Sequence, residues 1–182
     1  MWRVYRAGGR HPVSWDTFRI FGPVANGRFD HHLLPPSDQA DRGIFYGALH
    51  DAGAAIIEAF QDTRTIDRAH EDPWLVAFEL DLDLAVLDLA GPWPTKAGAS
   101  QAIATGRRDV AQRWSRAIYA AYPDIKGLIY PSAMAGRATN VAIYERGASA
   151  LPERPVLNVP LSHPGLARPI NRIAATYGYD LR

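Results

Sequence analysis

The spacing of apolar residues constrains the fold of this 182-residue chain more than any other feature. Short apolar or alternating runs typical of β-strands recur along the sequence, whereas only two long stretches have the three- and four-residue spacing of a helix. Strands and helices therefore do not alternate regularly, as a doubly wound parallel sheet would require. The pattern predicts one α+β domain with a mixed β-sheet and flanking helices, and with strands at 2–6, 44–46, 74–82, 85–89, 126–130 and 140–144.

The two helical stretches have recognisable ends. Asp51 is a suitable N-cap for a helix over 52–61, in which Ile56 and Phe60 would be buried. A second helix over 107–122 ends before Pro123, because proline cannot continue a helix.

The remaining segments are rich in turn-forming residues. Residues 8–41 are predicted to form a long loop in which a binding site could be built. Beyond Gly147, the repeated prolines predict an irregular tail that packs over the body and includes one short helix at 170–177. The predicted core therefore covers about 1–146, and a proline-rich extension of the same domain covers about 147–182.

Charge and composition exclude several classes of function. The 20 basic and 19 acidic residues give a net charge of +1, so the chain lacks the basic surface of a nucleic-acid-binding protein. There is no cysteine, which excludes disulfides, zinc–thiolate sites and cysteine nucleophiles. The absence of a long apolar run and of an apolar N-terminal stretch predicts a cytoplasmic protein that does not contact a membrane.

Three separated residues suggest a site for a phosphate-bearing ligand. Arg28 lies beside a glycine, Ser132 follows a proline at the end of a predicted strand, and Glu58 lies among apolar residues of the first helix. A carboxylate in such surroundings is less easily explained as an ordinary solvated side chain. Each residue alone is a weak signal, and the combination is the stronger one.

The combination occurs within a longer pattern that resembles the RES domain family, named for its arginine, glutamate and serine. The resemblance extends from Trp2 to about Tyr144, and six segments occur in the family's order. They are Trp2-Arg3-Val4-Tyr5-Arg6, Gly27-Arg28-Phe29-Asp30, Ile44-Phe45-Tyr46-Gly47-Ala48, Ala54-Ala55-Ile56-Ile57-Glu58, Lys126-Gly127-Leu128-Ile129-Tyr130-Pro131-Ser132 and Thr139-Asn140-Val141-Ala142-Ile143-Tyr144.

The resemblance implies a fold similar to that of ADP-ribosyltransferases and an activity that consumes NAD. Many members of the family resemble toxins of bacterial toxin–antitoxin pairs, so a cognate antitoxin that covers the active site is the expected partner. Two departures from the family pattern stand out. Asp30 replaces the usual Asn, and the spacing from Tyr46 to Glu58 is one residue longer than is common.

The chemistry of NAD explains why these residue types would be needed. The nicotinamide leaves as a neutral group, so no general acid is required, and one carboxylate can stabilise an oxocarbenium-like transition state. We expect Glu58 to have this role, together with Arg28 and Tyr46 as the other catalytic residues. Arg6 and Arg28 would bind the pyrophosphate, and Tyr46 would stack on the nicotinamide or cap its ribose. Tyr130, Ser132 and Asn140 complete the predicted NAD-binding set.

Several alternatives remain open from the sequence. Cleavage of NAD by water or phosphate is favoured over ADP-ribosylation of a cellular protein, for which the 31–43 loop or the tail could bind the acceptor. An RNA-cleaving toxin is a second possibility, although the near-neutral charge disfavours it. In a third, a non-catalytic binding module, Glu58 and Arg28 would form a structural ion pair. The adjacent His31 and His32 are interpreted as part of a polar loop, and no metal is expected.

Overall fold

Eleven β-strands are present in the computed structural model, which describes all 182 residues. Seven of them form one mixed sheet, and the other four form two small two-stranded sheets. In chain order they are β1 (Trp2–Arg6), β2 (Phe21–Gly22), β3 (Ser37–Asp38), β4 (Ile44–Leu49), β5 (Thr65–Ile66), β6 (Pro73–Ala77), β7 (Val86–Asp88), β8 (Gly127–Pro131), β9 (Thr139–Tyr144), β10 (Leu157–Pro160) and β11 (Asp180–Leu181).

The main sheet has the order β10-β6-β1-β4-β9-β8-β7. All neighbouring strands are antiparallel except β7 and β8, which are parallel. Together with the flanking helices, this mixed sheet confirms the predicted α+β class.

Five α-helices accompany the sheet, and none is long and apolar enough to cross a membrane. The Asp51 carboxylate accepts a hydrogen bond of 2.9 Å from the Ala54 amide, which confirms the predicted N-cap. The helices are α1 (Ala52–Ala59), α2 (Trp93–Lys96), α3 (Ala102–Thr105), α4 (Arg108–Ala121) and α5 (Ala167–Tyr177).

Side chains alternate between the two faces of the sheet, and each face has its own core. On one face, a cluster that includes Ile56 and Ile57 of α1 lies beside a second cluster that includes Ala111 and Ile118 of α4. A third cluster, which contains Phe45, forms the core of the opposite face. Helices α1 and α4 therefore lie on the same face of the sheet.

The sheet is incompletely paired between β1 and β4. These strands are paired only at Trp2 and Ala48, whereas β1 and β6 are paired at five positions. At the other end of β4, Ile44 forms an isolated bridge with Arg19 from the long loop. At Gly47, between these two points, a Cβ atom would lie 3.0 Å from the Trp2 carbonyl oxygen, so a side chain would be crowded. Because pairing along this edge of β4 is limited to Ala48 and Ile44, the residues between them have no strand partner on that side.

The structure corrects three of the predictions. The tail is not irregular, because β10 pairs with β6 along the main sheet and β11 pairs with β5; the predicted short helix is present as the longer α5. The strand predicted over 74–82 ends at Ala77, since its partner β1 begins at Trp2. The segment predicted as a loop over 8–41 contains the β2–β3 pair.

Candidate active site

A cavity of about 380 Å³ lies where β1 and β4 separate. Its floor is formed by the sheet, with Tyr46 and Asn140 among the lining residues. Helix α1 contributes Glu58, the start of α4 contributes Arg108, and the 24–28 loop contributes Arg28. The volume is within the range of roughly 300–1,000 Å³ typical of small-molecule sites.

Glu58 is held by two side chains from the ends of neighbouring strands. Its Oε1 atom accepts hydrogen bonds of 2.5 Å from the Ser132 hydroxyl and 2.8 Å from the Asn140 side-chain amide. The register that aligns Tyr130 with Asn140 brings these donors together below α1. No protein group donates to Oε2, so this oxygen remains available to a ligand.

Ser132 is fully engaged by protein partners. Its hydroxyl donates to Glu58 and accepts hydrogen bonds from the Met134 and Ala135 amides, at 3.1 and 2.9 Å. A hydroxyl has one proton to donate, and here that proton is directed to Glu58. Ser132 thus orients the carboxylate in this structure, and its predicted direct contact with a ligand stays a prediction.

The loop that carries Arg28 is fixed by α4. The Gln112 side chain donates to the carbonyl oxygens of Val24 and Gly27, at 2.8 and 2.7 Å, and Ser115 donates to the Phe29 carbonyl at 2.7 Å. These hydrogen bonds place Arg28 at the cavity, although the loop itself has no regular secondary structure.

The guanidinium of Arg28 is only partly used by the protein. Its Nη1 atom donates to the Gly106 carbonyl at 2.6 Å. Burial, and then the nearby charge of Arg108, lower the pKa of Arg28 from its ordinary value. Binding of an anion beside Arg28 would stabilise its charged form.

Asp30 is fully buried and holds the same loop in place through its hydrogen bonds. One oxygen accepts from Arg19 at 2.9 Å and from the Val24 amide at 2.7 Å, and the other contacts the His32 ring. Burial by itself would raise the pKa of Asp30, but the His32 hydrogen bond, the Arg19 charge and the Val24 amide lower it to about 2. The residue that departs from the family's usual Asn is therefore an ionised group with partners of its own.

Three aromatic residues line the cavity: Trp2 and the two tyrosines that were predicted from the sequence. Tyr46 lines the cavity, and its buried hydroxyl lies near the Phe29 backbone without a well-aligned hydrogen bond. Tyr130 also lines the cavity and packs against Phe29, with ring centroids 4.6 Å apart. Burial is the largest cause of the raised pKa of both hydroxyls, so both remain protonated donors at neutral pH.

Two predicted site residues, Arg6 and Ser132, do not line this cavity; Ser132 still reaches Glu58, whereas Arg6 points elsewhere. Its guanidinium lies 4.5 Å from the centroid of the Phe60 ring and 4.0 Å from a Glu71 carboxylate oxygen. In addition, Arg28 and Glu58 do not form the ion pair expected of a purely structural module, since their partners are Gly106, Ser132 and Asn140.

Three arginines at the cavity were not identified from the sequence: Arg3, Arg19 and Arg108. Arg3 lies over the Phe45 ring at 4.0 Å, and Arg19 is paired with Asp30. Arg108 is the first residue of α4, and an arginine at such a position is typical of the solvent-exposed surface of a helix. Only the placement of α4 on the same face of the sheet as α1 brings it to the site, so no local sequence signal could have identified it.

His31 and His32 are fully buried, in contrast to the predicted polar loop. The His31 ring stacks on Tyr119 at 4.3 Å, and its Nε2 atom lies 3.6 Å from a Glu145 carboxylate oxygen. Burial lowers the pKa of His31. No group of three or more His, Asp or Glu side chains is arranged to hold a metal ion.

One comparison with known proteins gives a match, and it covers most of the chain. The family model described as RES domain matches residues 1–162 of the 182. No curated protein and no solved structure matches the chain. The similarity to the ADP-ribosyltransferase fold expected from the resemblance therefore stays a prediction.

Proposed function

Because the chain belongs to the RES domain family, we propose that it cleaves the bond between nicotinamide and ribose in NAD. The observation that carries this proposal is a single oriented carboxylate, Glu58, in a cavity that also presents Arg28. We propose further that the enzyme acts as the toxin of a toxin–antitoxin pair, a setting in which this family is known.

The number of carboxylates at the cavity supports NAD over an ordinary glycoside. Glu58 is the only acidic residue among those that line it. An O-glycosidase uses two carboxylates because its leaving oxygen must be protonated. In NAD the electron pair of the breaking bond neutralises the pyridinium nitrogen, and nicotinamide leaves without a proton. One carboxylate is then sufficient.

The free oxygen of Glu58 supplies the proposed catalytic interaction. With Oε1 occupied by Ser132 and Asn140, Oε2 can accept hydrogen bonds from the ribose hydroxyls. Its negative charge stabilises the positive charge that develops at the anomeric carbon in the transition state. Ser132 and Asn140 are positioning residues in this scheme, because they fix the carboxylate before the substrate arrives.

Arg28 and Tyr46 would bind and orient the substrate. Arg28 pairs with the pyrophosphate through the donors that Gly106 leaves free. Tyr46, which lines the cavity, packs its ring beside the nicotinamide riboside.

Cleavage of RNA is less well supported by the same residues. General acid–base cleavage of RNA needs a group to protonate the leaving oxygen, and the lining of the cavity contains neither His nor Lys. The raised pKa of Tyr46 and of Tyr130 makes these hydroxyls weak acids. The net charge of +1 also provides little attraction for a polyanion.

The acceptor of the ADP-ribose group is tested by the product. Purified protein is incubated with NAD, with and without inorganic phosphate, and the products are analysed by mass spectrometry. ADP-ribose alone indicates hydrolysis, and a phosphorylated ADP-ribose indicates phosphorolysis. A protein that gains the mass of an ADP-ribose group indicates transfer. NAD that stays intact while added RNA is degraded would refute the proposal in favour of the RNA-cleaving alternative.

The toxin role is tested separately in cells. Induced expression of the wild-type chain should lower cellular NAD and arrest growth, and Glu58→Gln should do neither. Growth arrest by the Glu58→Gln variant at equal expression would contradict the assignment of toxicity to NAD cleavage. Co-expression with the neighbouring gene then tests for the expected antitoxin.

A further inference from the structure

Arg28 and Arg108 both line the cavity and retain hydrogen-bond donors that no protein group uses. Arg28 uses Nη1 on the Gly106 carbonyl. Arg108 uses Nη2 on Gln61 Oε1, at 2.9 Å, and on Asp62 Oδ1, at 3.3 Å. In each guanidinium, the other two nitrogens are free to bind a ligand.

The guanidinium groups of the other two arginines that line the cavity already contact other protein groups. Both Nη atoms of Arg19 are used, on the Phe21 carbonyl and on Asp30, and the Asp30 carboxylate neutralises its charge. The guanidinium of Arg3 is stacked on Phe45, in the core of the opposite face of the sheet. Arg28 and Arg108 are therefore the pair best placed to receive an anion.

One short turn sets the position of both residues. The Gly106 carbonyl that holds Arg28 lies two residues before Arg108, which is the first residue of α4. The Arg108 guanidinium is in turn held by Gln61, which follows the end of α1 and also lines the cavity. The same turn thus holds both guanidinium groups in position before a ligand binds.

The electrostatics of this pair are unfavourable without a ligand. Two guanidinium groups in a partly desolvated cavity repel each other, and the only acidic lining residue is Glu58. The partner of Arg108, Asp62, is more than half exposed and is screened by solvent. A diphosphate offers two adjacent anionic groups, each able to accept the paired donors of one guanidinium.

We propose that Arg108 is a diphosphate-binding residue of this site and that, with Arg28, it selects dinucleotides and nucleoside diphosphates over uncharged nucleosides. Arg108 takes the place that the sequence suggested for Arg6. The proposal rests on the proposed function for the identity of the substrate, but the binding of a diphosphate can be measured without turnover.

The test compares Arg108→Ala with Arg107→Ala. Arg107 is the adjacent arginine, its side chain is mostly exposed, and it pairs with Asp109 rather than lining the cavity. Isothermal titration with ADP-ribose should show affinity reduced about 10- to 100-fold in Arg108→Ala, which is the range for loss of charged hydrogen bonds, and affinity within about twofold of wild type in Arg107→Ala. Inorganic pyrophosphate should compete with ADP-ribose on wild type and compete much less on Arg108→Ala.

A second variant separates binding from folding. Arg108→Lys keeps the charge but loses the paired geometry, so we expect an intermediate affinity and an unchanged thermal unfolding midpoint. Wild-type affinity for ADP-ribose in both Arg108 variants, or absence of ADP-ribose binding to the wild-type protein, would overturn the proposal.

The outcomes also distinguish this proposal from the proposed function. ADP-ribose binding that depends on Arg108, with NAD left intact by the wild-type protein, would retain the diphosphate site and refute NAD cleavage. NAD cleavage with the same KM in Arg108→Ala as in wild type would retain the function and refute the role of Arg108.

Discussion

The buried Asp30 carboxylate gives a stability prediction that can be worked from the structure. In Asp30→Asn the shape of the side chain is kept, while the charge that pairs with Arg19 and contacts His32 is lost. The folded-state pKa of about 2 is below the ordinary value of 3.8. At about 1.4 kcal/mol per pKa unit, ionised Asp30 stabilises the folded protein by about 2 kcal/mol at neutral pH.

The assay is urea unfolding of wild type and Asp30→Asn at two pH values. With a urea dependence of roughly 2 kcal/mol per molar, the variant should unfold at about 1 M lower urea at pH 7. Asp109→Asn is the control, because Asp109 is also paired with an arginine but lies at the surface, and its midpoint should be unchanged.

The pH dependence tests the cause of this difference. A carboxylate whose pKa is lowered by folding stabilises the protein above its unfolded pKa, and the contribution is lost as the pH falls towards the folded pKa. The difference between wild type and Asp30→Asn should therefore be full above about pH 5 and fall to about half by pH 3. Equal midpoints at pH 7, or a difference that does not change with pH, would refute the assignment of the stabilisation to ionised Asp30.

Two further predictions concern the residues that face the ligand. Glu58→Gln should lower kcat for NAD by at least about 100-fold, as expected for loss of one oriented charge, with an unchanged circular dichroism spectrum; Glu153→Gln, at an exposed position of the tail, is the matched control, and retained activity in Glu58→Gln would exclude the carboxylate. Tyr46→Phe removes a buried hydroxyl that makes no well-aligned hydrogen bond and keeps the ring at the cavity. The thermal midpoint should therefore be equal or higher, and kcat/KM for NAD should stay within about twofold of wild type; a large loss of kcat/KM would show that the hydroxyl, and not the ring alone, contacts the substrate.

The elements that carry their own local signals were predicted well. Asp51 caps α1 as expected, and Pro123 lies just beyond the end of α4. Strand β10 was missed because Pro160 suggested irregular structure. Its position at the edge of the sheet, where one side of a strand needs no hydrogen-bond partner, tolerates proline.

The structure brings three of the predicted site residues together at a point where regular elements meet. Glu58 of α1 is joined by hydrogen bonds to Ser132, just beyond β8, and to Asn140 of β9; their roles towards a ligand stay predictions. Arg108 and the burial of His31 could not be predicted in the same way. Both depend on where α4 packs, and the partners of His31, such as Tyr119 and Glu145, are distant in the sequence.

Release of free nicotinamide from NAD by the purified protein tests the central claim most directly. The account predicts that wild type releases nicotinamide in an amount equal to the NAD consumed, over many turnovers and without added metal, while Glu58→Gln prepared in parallel releases almost none. No release of nicotinamide by a wild-type protein that is folded and binds ADP-ribose, or equal release by Glu58→Gln, would contradict it.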